Sequence, residues 1–393
     1  MKDSAALAAR ISLLGTESAF EVLARARDLE AQGRTVVHLE IGEPDFDTPE
    51  HVVRAAKEAL DAGLTHYVPS AGLPELREAS ADFLARTRGA DYGAGRVVIT
   101  PGAKPVMFYT IMALCEEGDE VIYPDPGFPM YESITRFAGA VPVPVPLHEN
   151  HGFRMDPDEV AALVTDRTKL LILNSPHNPC GSSLTREEVE ALAELATRRD
   201  LHVLSDEVYW AITYGAEHVS IASLDGMADR TILLDGWSKT FAMTGWRLGM
   251  AALPGYLVEP FTRLIVNSVS CTASFSQHAA VAALTGPWEP VEEMVAEFEK
   301  RRSVIVDGLN RLPGISCQEP GGAFYAFPNV TALGAPSSRV ADHFLEHGGV
   351  ACLDGAGFGR GGTGYLRLSY ANSVEAIREA LDAIEASLPS LRA

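Results

Sequence analysis

Along the middle of the chain, short runs of β-branched and aliphatic residues alternate with longer stretches whose apolar positions recur every three to four residues. Arg96–Thr100, Asp119–Pro124, Lys169–Asn174, Leu201–Asp206 and Thr231–Asp235 read as strands. PGAKPVMFYTIMALC after the first run reads as a helix, and so does TREEVEALAELATRRD, with Thr185 as its cap. Strands that alternate with helices predict a parallel sheet covered on both faces. The last hundred residues follow a different order. WEPVEEMVAEFEKRRSVIVDGLNRL predicts a long amphipathic helix, GGAFYAFPN and GYLRLSYA predict strands, and SVEAIREALDAIEASL predicts a closing helix. That order suits a smaller α+β domain packed closely on the first.

Composition narrows the possibilities. The 393 residues are 47% hydrophobic and 22% charged, values of an ordinary globular chain long enough for more than one domain. A formal charge of -21 disfavours a broad nucleic-acid surface, so an anionic ligand must be held by a local cluster of cations and backbone amides. Cys115, Cys180, Cys271, Cys317 and Cys352 are odd in number and widely spaced, without a CxxC pair or a metal-ligand spacing. Free buried thiols in a reducing compartment are expected, with no metal site. The N-terminal MKDSAALAARISLLG lacks the apolar core of a signal peptide, and no apolar run approaches membrane-spanning length. A cytoplasmic protein is the expectation.

Ligands of open parallel sheets bind outside the carboxyl ends of the strands, and polar residues stand at those ends here. Gly102, Ala103 and Lys104 follow one strand and open a helix, which offers unpaired amides to a phosphate. NSPHNPCG (174–181) follows another, Asp206 and Tyr209 in SDEVYW follow a third, and Lys239 in SKTFAMTGWRLG follows a fourth, with Arg247 eight residues on. A lysine whose pKa is lowered by burial attacks carbonyls, and the planar fork of arginine suits a phosphate. Together they point to a phosphorylated aldehyde held as a Schiff base, for which pyridoxal phosphate is the candidate.

The ordered set of phosphate loop, asparagine loop, Asp-x-x-Tyr, lysine and arginine resembles the class I/II aminotransferases of the aspartate aminotransferase superfamily, the fold-type I pyridoxal-phosphate enzymes. The resemblance runs from LEIGEPDFDTP to GYLRLSYA. It implies a large domain with a mostly parallel seven-stranded sheet over 46–288, and a smaller α+β domain formed by 1–45 and 289–393. It implies Lys239 as the Schiff-base lysine and proton shuttle, and Asp206 as partner of the pyridine nitrogen. Tyr209 and Asn178 correspond to partners of the phenolic oxygen. Ser238, Arg247 and the Gly102–Ala103–Lys104 amides correspond to the phosphate site, and Phe128 to an aromatic stacked on the ring. Arg367 matches the arginine that grips the substrate carboxylate, with Gly42 against the same group. Tyr67 matches a tyrosine that reaches the phosphate of a neighbouring subunit, which implies a homodimer.

The departures are specific. Cys180 stands where the family often has threonine, a packing substitution. His177, before Asn178, is compatible with a solvated turn or with a substrate contact. Gly236 replaces a serine that many relatives direct at the phosphate, which leaves that contact missing or supplied by Ser238. No arginine matches the one that selects acidic side chains in strict aspartate enzymes. The expected activity is amino transfer between an L-amino acid and a 2-oxo acid in a ping-pong cycle. The alternative is a β-lyase or a cyclising or oxidising pyridoxal-phosphate enzyme of specialised amino-acid metabolism.

Overall fold

A computed structural model describes residues 7–215 and 217–391; the first six residues of MKDSAALAARISLLG lie outside the described residues. The large domain is built on a seven-stranded sheet in the order Val97–Thr100, Gly249–Ala252, Thr231–Gly236, His202–Asp206, Thr168–Asn174, Glu120–Asp125, Val141–Pro146. Six strands run parallel, and Gly249–Ala252 runs antiparallel to both neighbours. All five strands expected from the apolar runs are present. Their side chains are buried on both faces: Ile172, Leu204, Ile232 and Leu234 join one core, and Leu171, Leu173 and Val203 the other. Each such side chain contributes about 1.5–3 kcal/mol by leaving water.

The apolar pattern does not predict the remaining two strands. Gly249–Ala252 is four small or flexible residues without β-branching. Val141–Pro146 is VPVPVP, which reads as a strand breaker. Its alternation is what makes it an edge strand. Val141 N–H donates to Asp119 O at 2.7 Å and Leu147 N–H to Asp125 O at 2.8 Å, so this parity of residues faces the sheet. The three prolines fall on the opposite parity, toward the open edge, where no ladder donor is required. They also deny that edge to another strand.

The smaller domain carries a three-stranded antiparallel sheet in the order Leu353–Asp354, Leu366–Ser369, Tyr325–Ala326. The helices Glu289–Arg311 and Val374–Leu391 cover it, as their amphipathic pattern predicts. Val37–His38 pairs in parallel with Val350–Ala351, which ties the N-terminal segment to this domain. The predicted cap of Arg186–Arg198 is a full capping box: Thr185 Oγ1 accepts from Glu188 N–H and Glu188 Oε2 accepts from Thr185 N–H.

Candidate active site

A cleft of about 1040 Å³ opens where the carboxyl ends of the large sheet meet the smaller domain. Lys239 stands on the short helix Trp237–Thr240, directly after the Thr231–Gly236 strand. Trp237 is fully buried and anchors that turn. The Lys239 amine lies half-buried in the cleft and donates to Gly42 O at 2.5 Å. Burial lowers it to about 8, and the charges of Arg367, Lys104 and Arg247 act in the same direction against Glu43.

Asp206 ends the His202–Asp206 strand on the cleft floor. It accepts from Tyr131 O–H at 2.7 Å and from Val208 N–H at 3.4 Å. Burial pushes its carboxyl up to about 6 despite the tyrosine bond, and Asp235 and Glu207 push the same way. No cation bonds to this buried carboxylate among the described residues, which suits it to a cationic ring nitrogen.

Arg247 has φ of 54°, a left-handed conformation that costs of order 1–3 kcal/mol for such a residue. Its Nη1 donates to Thr244 O at 2.9 Å. Its guanidinium lies against Gly102, where an added Cβ would come within 2.3 Å of Arg247 Nη2, and Gly249 lets the same loop approach the sheet. Lys104–Leu114 begins here with Ala103 as its N-cap and no side chain on its first amides. Those amides, Arg247 and Ser238 make a donor set able to hold a phosphate. Phe128 lines the adjoining wall, and Lys104 pairs with Glu17 over the Phe128 ring.

On the far side, Arg367 projects from Leu366–Ser369 and is buried. It donates to Asn178 Oδ1 at 3.2 Å and to Glu40 O at 2.5 Å. Its guanidinium stacks on Tyr325 at 4.6 Å and Phe358 at 4.9 Å, and its Nε has no partner among the described residues. Tyr209 O–H pairs with Tyr325 O–H at 2.7 Å, and a Cβ on Gly42 would collide with that Tyr325 hydroxyl.

Of the residues singled out in the sequence, Gly42, Ala103, Lys104, Phe128, Asn178, Asp206, Tyr209, Ser238, Lys239, Arg247 and Arg367 all line this cleft, and Gly102 packs beneath it. Tyr67 does not: it is 90% exposed on the outer surface. His177 is neither a solvated turn residue nor a cleft residue. Its ring is buried beside Phe153 and Leu173, and burial holds it neutral, down to about 3. Cys180 is a core residue whose thiol burial pushes well up. Gly236 lines the cleft and donates its N–H to Asp235 Oδ1 at 2.6 Å.

Three contributors escape the sequence reading. Asn174 accepts from Asn178 N–H at 2.9 Å and donates to Asp206 O at 3.1 Å. Tyr131 holds Asp206, and Tyr325 supports Tyr209, Gly42 and Arg367 together. They stand in NSPHNPCG, DPGFPMY and GGAFYAFPN, yet nothing in those strings distinguishes them from packing residues. The N-terminal helix Ser18–Ala31 also walls the cleft, through Phe20, Leu23 and Arg27.

An aromatic aldehyde bearing a phosphate fits this set: a nucleophilic amine, a floor carboxylate, phosphate donors at one end and a buried arginine at the other. Comparison with known proteins agrees. The family model described as "Aminotransferase class I and II" matches residues 34–384. The chain is 43% identical to an aspartate aminotransferase of Pyrococcus abyssi over 91% of its own length and 93% of the relative's. It is 41% identical to aromatic-amino-acid aminotransferase 2 of Thermococcus litoralis, with 97% of each chain covered. The solved structure of the aspartate aminotransferase from Thermus thermophilus with maleate superposes with a TM-score of 0.94 at 37% identity, covering 98% of this chain and 100% of that one. These relatives do not favour the lyase or cyclising alternative. The chain belongs to the class I and II aminotransferases, and is a pyridoxal-phosphate-dependent aminotransferase of fold type I.

Proposed function

We propose that this aminotransferase works through Lys239, with Asp206, Tyr209 and Asn178 serving the cofactor ring and Arg367 and Gly42 receiving the substrate carboxylate. The observation that carries the reading is the half-buried Lys239 amine, lowered to about 8 and set in one cleft with Arg247 and Arg367. Pyridoxal phosphate, when bound, supplies an electron sink for the charge left by loss of the substrate's α-proton. Arg247, Ser238 and the Gly102–Ala103–Lys104 amides would hold its phosphate, with Phe128 against its ring and Tyr67 of a second copy completing the site. Asp206, kept in place by Tyr131, would hold the proton on the ring nitrogen. Arg367, locked by Asn178, Glu40 and the Tyr325 ring, orients the amino acid by its carboxylate. Lys239 Nζ takes the α-proton and returns it one step later. The first 2-oxo acid leaves, and a second 2-oxo acid is aminated by the same residues in reverse.

The donors we infer are dicarboxylic and aromatic amino acids, the two kinds for which the relatives are named. The cleft wall supports both, with Phe20, Leu23 and Phe128 beside Lys104 and Arg27. We assign residues 46–288 to the large domain, and 1–45 with 289–393 to the smaller one. A homodimer accounts for Tyr67 and for the exposed Met112, Val266 and Val269. Five free cysteines, four of them buried, suit the cytoplasm. Among the described residues no helix is long and apolar enough to cross a membrane.

A half-reaction tests this reading. With a donor and no acceptor, one 2-oxo acid should appear per active site and then stop, without ammonia. Continuous release of ammonia from the donor alone would refute amino transfer.

A further inference from the structure

Behind the cleft floor lies a second set of charges that the reaction does not touch. Arg88 ends the helix Pro74–Arg88, and its side chain is fully buried. Its Nη1 donates to Glu207 Oε2 at 3.2 Å and its Nη2 to Asp235 Oδ2 at 2.6 Å. Its guanidinium stacks on Trp210 at 4.5 Å. Glu207 also accepts from Ser205 Oγ at 2.8 Å and Ser220 Oγ at 2.6 Å, and His218 Nε2 lies 3.2 Å from its Oε2. The two carboxylates have particular neighbours. Glu207 follows Asp206 in the chain. Asp235 accepts from the N–H of Gly236, the residue that caps the short helix carrying Lys239.

We propose that Arg88 is a positioning residue, a buried guanidinium that clamps the strand ends bearing Asp206 and Lys239 and shields Asp206 from the two carboxylates behind it. Sliding one strand end against the other would break a buried charge-assisted hydrogen bond, which is the kind most costly to lose. The shielding follows from the charges present. Asp206 is faced by Glu207 and Tyr209 from its own chain segment, by Asp235 from the next strand and by Tyr131 from the helix Met130–Phe137. Tyr92, Arg88 and His218 stand around Glu207. Asp235 and Glu207 both favour protonation of Asp206, and Arg88 is the cation that offsets them.

The inference rests on Asp206 serving the ring nitrogen, and the test separates the two. The dissociation constant of pyridoxal phosphate from the full-length apoprotein is measured by fluorescence from pH 5 to 9, with the thermal midpoint alongside. In wild type, affinity falls on the acid side as Asp206 protonates. Arg88→Gln should move that acid midpoint up by about 1 unit. Asp235→Asn should move it down, the double variant should restore it, and Arg88→Lys should keep it near wild type. Should Arg88→Gln fail to fold, Asp235→Asn and Arg88→Lys decide. Lowered thermal midpoints with an unmoved acid midpoint would mean plain structural support and overturn the inference. If the acid midpoint persists in Asp206→Asn, the assignment of Asp206 falls instead, and the shielding falls with it. If it vanishes there but ignores Arg88 and Asp235, the assignment of Asp206 stands and Arg88 is overturned.

Discussion

Asp206 and Glu207 are adjacent in the chain, both buried, and electrostatically opposite. Burial drives Asp206 up to about 6, and no cation of the protein bonds to it among the described residues. Burial would drive Glu207 up as well, yet the charges of His218 and Arg88 and the Ser220 hydroxyl bring it down to about 2. One carboxylate faces the cleft and the other faces the network behind it, because successive residues point to opposite sides as the strand ends. Among the described residues, Lys239 and Asp206 on the cleft side have no partner of opposite charge: Lys239 donates to a carbonyl, and Asp206 accepts from a phenol. The network side pairs every carboxylate with Arg88. An unpaired buried charge is costly to the protein and available to a ligand; a paired one is available to nothing else. Pairing therefore separates the groups left open to a ligand from those bound up within the fold.

That contrast can be broken experimentally. Lys239→Ala removes the proposed proton carrier on the cleft side and should cost amino transfer at least about 10²–10⁴-fold in single-turnover kinetics, with the thermal midpoint retained. Near-normal turnover in that variant would sink its assignment. Glu207→Gln should act in the opposite way and destabilise the fold by about 3 kcal/mol in denaturant titration, because it leaves part of the Arg88 charge uncompensated. Asp206→Asn relieves an unpaired buried charge, so the apoprotein should be no less stable than wild type. Its affinity for pyridoxal phosphate should fall about 10- to 100-fold, the worth of a charge-assisted bond. Equal stability losses in Asp206→Asn and Glu207→Gln would erase the distinction. The smallest effect concerns pH. The protonated amine of Lys239 cannot attack, and burial disfavours it, so the neutral fraction grows as pH rises. Loading of the apoprotein should accelerate about tenfold per unit below pH 8 and level off above about 8. A rate still climbing at pH 10 would place Lys239 in ordinary solvated surroundings.

The five strands read from the apolar runs were legible because both faces of each are buried, whether central or, like Val97–Thr100, at the edge of the sheet. Val141–Pro146 was not, since its prolines make sense only once one side of the strand is known to be free. Lys239, Asp206 and Asn178 were legible because each stands at the end of such a run or within a few residues of it. The roles of Tyr131 and Tyr325 were hidden. A buried tyrosine looks the same in the sequence whether it packs or holds a carboxylate.

The sequence by itself determined which residues would stand at the strand ends and what ligand chemistry they could serve. Strand positions and helix starts depend on neighbours a few residues away, and so does the order of the groups that follow them. The tertiary structure decided how those groups meet. Arg367 reaches Asn178 across 189 residues of chain, and Tyr209 reaches Tyr325 across 116. Arg88 reaches Glu207 across 119 and Asp235 across 147. Contacts at such separations are set by packing of whole elements. Burial of the surrounding chain then fixes which charges pair, and so which remain free for the cofactor.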